Sequence, residues 1–216
     1  MAQVFRTTLA GQRPTGAAAS YGPEHRYGLR ELSDQELVLG CLREERKYQE
    51  TLYARFNRRM YAVCLRYARH HLEAQDLLQD GFVRVFDKLH HFRMEGSLEG
   101  WIRRVMVTTC ISQYRKKAFK HERFGLEVLP EEPVEPLALD ALGQAELQTL
   151  IADLPDGYRL VFNLFAIEGF DHAEIAEMIG CGESTSRSQL AKARRMLQQR
   201  LGHNALHTHA GKTSHR

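Results

Sequence analysis

The sequence predicts an all-α protein of two small helical domains joined by an acidic, proline-containing linker, the second domain ending in a helix-turn-helix. Three observations carry this expectation. Apolar residues recur at intervals of three and four, the helical period, along most of the chain. Prolines at 130, 133 and 136, set among acids, interrupt that pattern once. Ser33-Asp-Gln-Glu36 and Asp171-His-Ala-Glu174 both have the form of a capping box, and Gly180 closes the short helix that the second of them opens.

Length and composition bound the rest. A chain of 216 residues, 43% hydrophobic and 26% charged, has room for one or two domains with real cores. The net charge of +3 is small, but its distribution is uneven. From Arg103 to Arg123 there are seven cations and one acid, from Phe124 to Gly157 eight acids and no Lys or Arg, and from Ser184 to Arg200 five cations and no acid. Two basic segments flanking an acidic connector suggest two surfaces that face a polyanion. Cys41, Cys64, Cys110 and Cys181 lie far apart within helical patterns, which argues for core residues in a reducing compartment rather than a metal site or a disulfide scaffold. No apolar run approaches the roughly 18 residues of a membrane span, and the N-terminus lacks the apolar core of a secretory signal. The expectation is a cytoplasmic protein without membrane insertion.

Residues 1–30 carry glycine and proline without periodicity and are expected to be a disordered extension. Ser33 and Glu36 then open a short helix through about Leu42. Tyr48 to Arg69 forms a long amphipathic helix burying Leu52, Phe56, Met60, Val63 and Tyr67. The next helix, Glu73 to Leu89 with its end near His90 and His91, has two opposed faces. Leu78, Phe82, Val85 and Leu89 form its inward stripe, whereas Asp76, Gln79, Asp80, Val83 and Asp87 share the far side. A polar far side is ordinarily a solvated face. Here it is acidic, contains no cation and surrounds an apolar valine, which fits a docking strip for a basic partner. After Gly96, a helix from Leu98 to Lys117 buries Leu98, Trp101, Ile102 and Val105 and presents Arg103, Cys110, Tyr114 and Lys117, with Arg104 and Arg115 flanking. Cations beside an accessible aromatic suit nucleic acid, although charge patterning alone fits a solvated basic face equally well.

The linker is expected over 119–143. Leu147, Leu150, Ile151 and Leu154 resume a helix that stops at Pro155, and Tyr158 to Ile167 makes another, ended by Gly169. Asp171 and Glu174 cap a helix in which Ile175 and Ile179 point inward and Ala176 is small enough for a close crossing. Gly180 can take the left-handed conformation that turns the chain. Ser184 or Thr185 then caps a last helix, with Leu190, Ala193 and Leu197 inward and Arg187, Lys192, Arg194 and Arg195 outward. This is a helix-turn-helix with a basic recognition helix, in a second domain spanning 144–202 ahead of a disordered tail, 203–216.

At these residues the chain resembles a family. The segments EAQDLLQ at 73–79 with Phe82 and Phe86, GSLEGWIRR at 96–104, RKK at 115–117, LPDGYR at 154–159, EIAEMIG at 174–180 and TSRSQL at 185–190 are similar to those of bacterial RNA polymerase sigma factors of the extracytoplasmic-function (ECF) group. The likeness runs from about Leu32 to Leu201. It implies a first domain, 31–118, that binds core RNA polymerase and the −10 promoter element, and a second that binds the −35 element. Asp76, Gln79, Asp80 and Phe82 would meet the clamp of the polymerase largest subunit. The loop Phe92 to Gly100 and the helix carrying Arg103, Arg104, Thr108, Tyr114, Arg115 and Lys117 would recognise and open the −10 element. Ser184, Thr185, Arg187, Ser188, Lys192, Arg194 and Arg195 would lie on the −35 element. The chain departs from the family pattern at Gln75, Thr108, Ser112 and Cys181, where an acid, an Asn, an Asp and an aliphatic residue are usual. The resemblance implies core polymerase and promoter DNA as partners and leaves an anti-sigma protein open as a third.

Other classes fit less well. No alternating strand and helix pattern precedes the helix-turn-helix, as a receiver domain would require. No HExxH, paired-carboxylate or nucleophile–base arrangement points to an enzyme, and His203, His207, His209 and His215 in the tail lack a spacing that demands metal. No cofactor is expected. A DNA-binding protein that works without polymerase stays open on the residues alone.

Overall fold

The computed structural model describes residues 32–121 and 144–210, with side chains described for 32–117 and 148–201. The expected extension, most of the linker and the end of the tail lie outside these residues.

In chain order the helices are α1 (Asp34–Leu42), α2 (Arg46–Tyr67), α3 (His71–Lys88) with a 3₁₀ turn at Leu89–His91, and α4 (Leu98–His121). The second domain holds α5 (Gln144–Ala152), α6 (Asp156–Ala166), α7 (His172–Ile179) and α8 (Glu183–Ala210). No strand occurs among the described residues, and none of their helices is long and apolar enough to cross a membrane.

Local chemistry explains several starts and stops. Ser33 Oγ accepts the Glu36 N–H at 3.2 Å and Glu36 accepts the Ser33 N–H at 2.9 Å, so the predicted box caps α1. Helix α3 begins at His71, two residues before the predicted start, because His70 Nδ1 accepts the Glu73 N–H at 3.1 Å and serves as an unforeseen cap. Ser97 Oγ accepts the Gly100 N–H at the head of α4. Asp171 and Glu174 cap α7 reciprocally, and Gly180 ends it with φ of +76°. The recognition helix starts at Glu183, so Ser184 and Thr185 lie in its first turn rather than capping it. It also runs to Ala210, past the predicted end at 202, since Gly202 alone costs a helix only about 1 kcal/mol.

The core of the first domain forms where α2, α3 and α4 meet, and Leu52, Met60, Phe82, Leu89, Leu98, Ile102 and Met106 are fully buried there. Gly81 lets α3 approach α4 closely, because a Cβ on it would collide with the Met106 sulfur. In the second domain Leu154, Leu164, Ile175, Ala193 and Leu197 fill the space between α6, α7 and α8. Three packing expectations need correction, the first being Val105, which is only half-buried. Trp101 is only partly buried, leaning on Phe92 with ring centroids 5.6 Å apart. Cys110, expected on the presented side of α4, is buried, meeting Cys64 of α2 on one side and lying near Leu160 of the second domain on the other. Cys41 and Cys64 are buried as well, Cys181 is half-exposed, and all four are free thiols.

The domains touch along the end of α2. The last carbonyls of a helix have no partner within it, and here the second domain supplies them. Arg159 Nε donates to Tyr67 O at 3.2 Å and Asn163 Nδ2 donates to Arg66 O at 2.7 Å. Arg69 closes the edge with two 2.6 Å bonds to the carboxylate of Asp156.

Candidate polymerase and nucleic-acid interfaces

The outer face of α3 keeps its predicted composition. Asp76 and Asp87 are exposed, Gln79, Asp80 and Val83 half-buried. Neither Asp76 nor Asp87 has an ion-pair partner among the described residues. Asp80 is oriented by Gln113 of α4, whose Nε2 donates to it at 2.6 Å. Phe82 is fully buried, with its ring 4.7 Å from that of Tyr53, so it cannot touch a partner as expected. Its role is to hold α3 in register from beneath. Near the head of the helix, burial works against ionisation of Glu73. Bonds from the Arg69 N–H at 2.7 Å and from the Lys117 ammonium outweigh it and hold the carboxyl below its ordinary value.

The residues predicted on α4 divide into two groups. Arg104 and Thr108 are exposed, with Thr108 Oγ1 donating to Arg104 O at 2.8 Å. Lys117, also exposed, pairs with Glu73. Arg103 and Tyr114 face the second domain instead, and Arg115, though exposed, reaches toward it. Arg103 embraces Glu168 with bonds of 2.9 and 3.1 Å. The Tyr114 hydroxyl lies beside Gly157 and Gln189, burial pushing its pKa up, and the Arg115 guanidinium lies beside Gly180. Between α4 and α7 an open cleft of about 350 Å³ is lined by Arg103, Arg104, Thr108, Glu168, Phe170 and Met178.

On α8, Ser184 and Arg187 are exposed in the first turns, and Arg187 pairs with Glu183 one turn back. Thr185 and Ser188 are half-buried, the Ser188 hydroxyl donating to Thr185 O at 3.0 Å. Lys192 and Arg194 are less outward than predicted: their charged heads lie 6.0 Å and 5.6 Å from the ring centres of Tyr158 and Phe165 on α6. Arg195 is exposed. His172 packs on Phe165 with centroids 4.7 Å apart and meets Ser186 Oγ at 2.9 Å. Burial first, then the Arg187 charge, push its pKa down.

Four residues here were not singled out from the sequence. Arg66 and Glu168 meet across the domain boundary, which no local pattern reveals. Arg159 lay within the LPDGYR segment but gave no sign that its guanidinium would be 3% exposed. Met94, in the loop ahead of α4, holds φ of +58° while staying exposed, a strained conformation for an unbranched apolar residue. No group of three His, Cys, Asp or Glu side chains among the described residues could hold a metal ion.

Fold and surfaces together define an all-helical two-domain protein with an acidic face, a basic helix and a helix-turn-helix. Comparison with known proteins gives the family. The Sigma-70 region 2 model matches residues 52–120, and the Sigma-70, region 4 model matches residues 144–197. The ECF RNA polymerase sigma factor SigM of Mycobacterium tuberculosis is 28% identical over 190 residues, covering 86% of this chain and 91% of the relative. The ECF RNA polymerase sigma factor SigW of Bacillus subtilis is 27% identical over 159 residues, covering 66% of this chain and 83% of the relative. Among solved structures, the sigma factor RpoE of Bartonella quintana, in complex with the anti-sigma factor NepR, is 22% identical. It covers 71% of this chain and 96% of its own, with a TM-score of 0.44. The two family matches together span more than half the chain in the family's order, and the chain belongs to the ECF group of RNA polymerase sigma factors. Its function at that level is promoter-specific initiation of transcription with RNA polymerase, a regulatory rather than a catalytic role by family.

Proposed function

We propose that α3 docks on the clamp of the polymerase largest subunit through Asp76, Gln79 and Asp80, that α4 engages the −10 element and helps to melt it, and that the start of α8 reads the −35 element. The proposed partners are core RNA polymerase, promoter DNA and an anti-sigma protein. On α4 the proposed contacts are Arg103, Arg104, Thr108, Tyr114, Arg115 and Lys117. On α8 they are Ser184, Thr185, Arg187, Ser188, Lys192, Arg194 and Arg195. The observation that carries this reading is the acidic face of α3. Asp76 and Asp87 project from it without an ion-pair partner among the described residues, while exposed cations such as Arg104 and Arg195 sit on α4 and α8. An unpaired acidic face beside basic DNA-facing helices needs a basic partner that is not the DNA.

The test is a paired Asp76→Lys, Asp80→Lys variant measured for binding to core enzyme. Asp76 is exposed and Asp80, half-buried, gives up only its bond from Gln113, so helix content by circular dichroism should match the parent while affinity for core falls at least about tenfold, the scale of a reversed charge contact. A folded variant that binds core unchanged would refute the docking assignment.

A further inference from the structure

We propose that Arg84 is a further DNA-binding residue, and that with Arg104 it forms a two-point phosphate track along the outer edge of α4 for the promoter strand at the −10 element. This role rests on the proposed reading of α4 as a DNA-binding helix and adds a residue from α3, the helix otherwise given to polymerase.

Arg84 is half-buried, yet no carboxylate lies within ion-pair distance of it among the described residues. Its Nη1 donates to the Ser112 hydroxyl of α4 at 3.2 Å, and that hydroxyl donates onward to Thr108 O at 2.8 Å. A neutral oxygen occupies one of the guanidinium's N–H donors and leaves its charge uncompensated. None of the Arg84 nitrogens is buried without a partner, so the unbonded ones open to solvent.

An acid is close at hand but held away. Asp80 lies one helical turn before Arg84, the spacing and order at which an acid and a cation on one helix face attract each other. Here α4 separates them, because Gln113 Nε2 donates to Asp80 at 2.6 Å while the adjacent Ser112 takes Arg84. The acid stays with the outer face of α3, and the cation stays on the edge shared with α4.

Helix α4 supplies the rest of the track. Arg104, Thr108 and Ser112 recur at every fourth residue, the first two exposed and the third half-buried, and no acid shares their stripe. Arg104 has no ion-pair partner among the described residues, its neighbour Arg103 being the one that takes Glu168. Arg104 and Ser112 stand about 12 Å apart along the helix, a length over which one DNA strand carries about three phosphates. Arg84 and Arg104 therefore neutralise different phosphates, with the Thr108 hydroxyl between them.

The experiment uses the full chain, a fluorescein-labelled duplex of mixed sequence as probe, and anisotropy titrations over a range of salt concentrations. Arg84→Gln should lower the slope of log affinity against log salt by about one and weaken binding about fivefold at physiological salt, whereas Arg84→Lys, which keeps the charge, should restore the slope. Ser112→Asp sets a carboxylate against the guanidinium. It should lower the slope as Arg84→Gln does, and it decides the matter if Arg84→Gln misfolds by circular dichroism. Lys47→Gln removes an equal charge from an exposed site at the head of α2 and should leave the slope unchanged. Unchanged slopes in both Arg84→Gln and Ser112→Asp overturn the track, as does an equal loss in Lys47→Gln. Arg104→Gln reports on α4 itself. A lowered slope in that variant alone keeps α4 on DNA and contradicts only the role of Arg84, whereas unchanged slopes in all three contradict both. Binding to core polymerase is measured in parallel and should be unaffected by Arg84→Gln. Loss of core binding with an intact slope assigns Arg84 to the polymerase face and overturns the track.

Discussion

Arg187, proposed above to read the −35 element, must first leave its partner Glu183. It sits in the first turns of α8, the part of a recognition helix that meets base edges, and its guanidinium is tied to Glu183 by an exposed pair one turn apart. Such a pair contributes about 0.3–0.5 kcal/mol, whereas a bidentate arginine–guanine contact discriminates by about 1–3 kcal/mol. The contact therefore wins after the pair breaks, leaving about 0.5–2.7 kcal/mol, or roughly 2- to 100-fold in promoter preference. Arg187→Ala should remove that preference at one position of the −35 element. Glu183→Gln should sharpen it slightly, by about twofold, since the competing carboxylate is gone. Arg195→Ala should weaken all −35 sequences together, because later cations meet phosphate. The assay is transcription with core polymerase from a library of −35 variants. Uniform depression of every promoter by Arg187→Ala, equal to the effect of Arg195→Ala, would refute base reading by this residue.

Two further predictions concern stability. Arg159→Met should cost about 3 kcal/mol, because it leaves the carbonyls of Ala152 and Leu154, bonded at 2.9 and 2.8 Å, without their buried donor. Urea denaturation checks this, and a loss below about 1 kcal/mol would contradict the role given to the guanidinium. His172 has its folded pKa pushed below the ordinary 6.5, so its contribution is present above that value and is lost as pH falls through it, when folding must oppose protonation. The second domain should thus melt at lower temperature at pH 5 than at pH 7, and His172→Gln should flatten that difference. A slope unchanged in the variant would assign the effect elsewhere.

The first domain's helices were legible because their apolar period is regular and the Ser33–Glu36 box marks the first start. Leu52, Phe56, Met60, Val63 and Tyr67, chosen by spacing, are all buried. The helix-turn-helix was equally legible, since Asp171, Glu174, Ala176 and Gly180 each have a local reason for their place. What escaped was set by contacts distant in sequence. Cys110 and Tyr114 read as outward because their own helix gives them a polar side; Cys64 of α2 meets the first, and the second domain, arriving more than forty residues later at Gly157, meets the second. Phe82 satisfied both its apolar stripe and the family segment, and only packing against Tyr53 decided between them. His70 as a cap was missed because a ring nitrogen seldom plays that part.

Run-off transcription with purified core RNA polymerase on fragmented bacterial genomic DNA, with and without this protein, tests the central claim most directly. The account predicts discrete new transcripts that begin a fixed distance downstream of shared −35 and −10 sequences and that vanish with the Asp76→Lys, Asp80→Lys variant. Transcripts identical to those of core enzyme alone, in the presence of a folded chain that binds core, would contradict it.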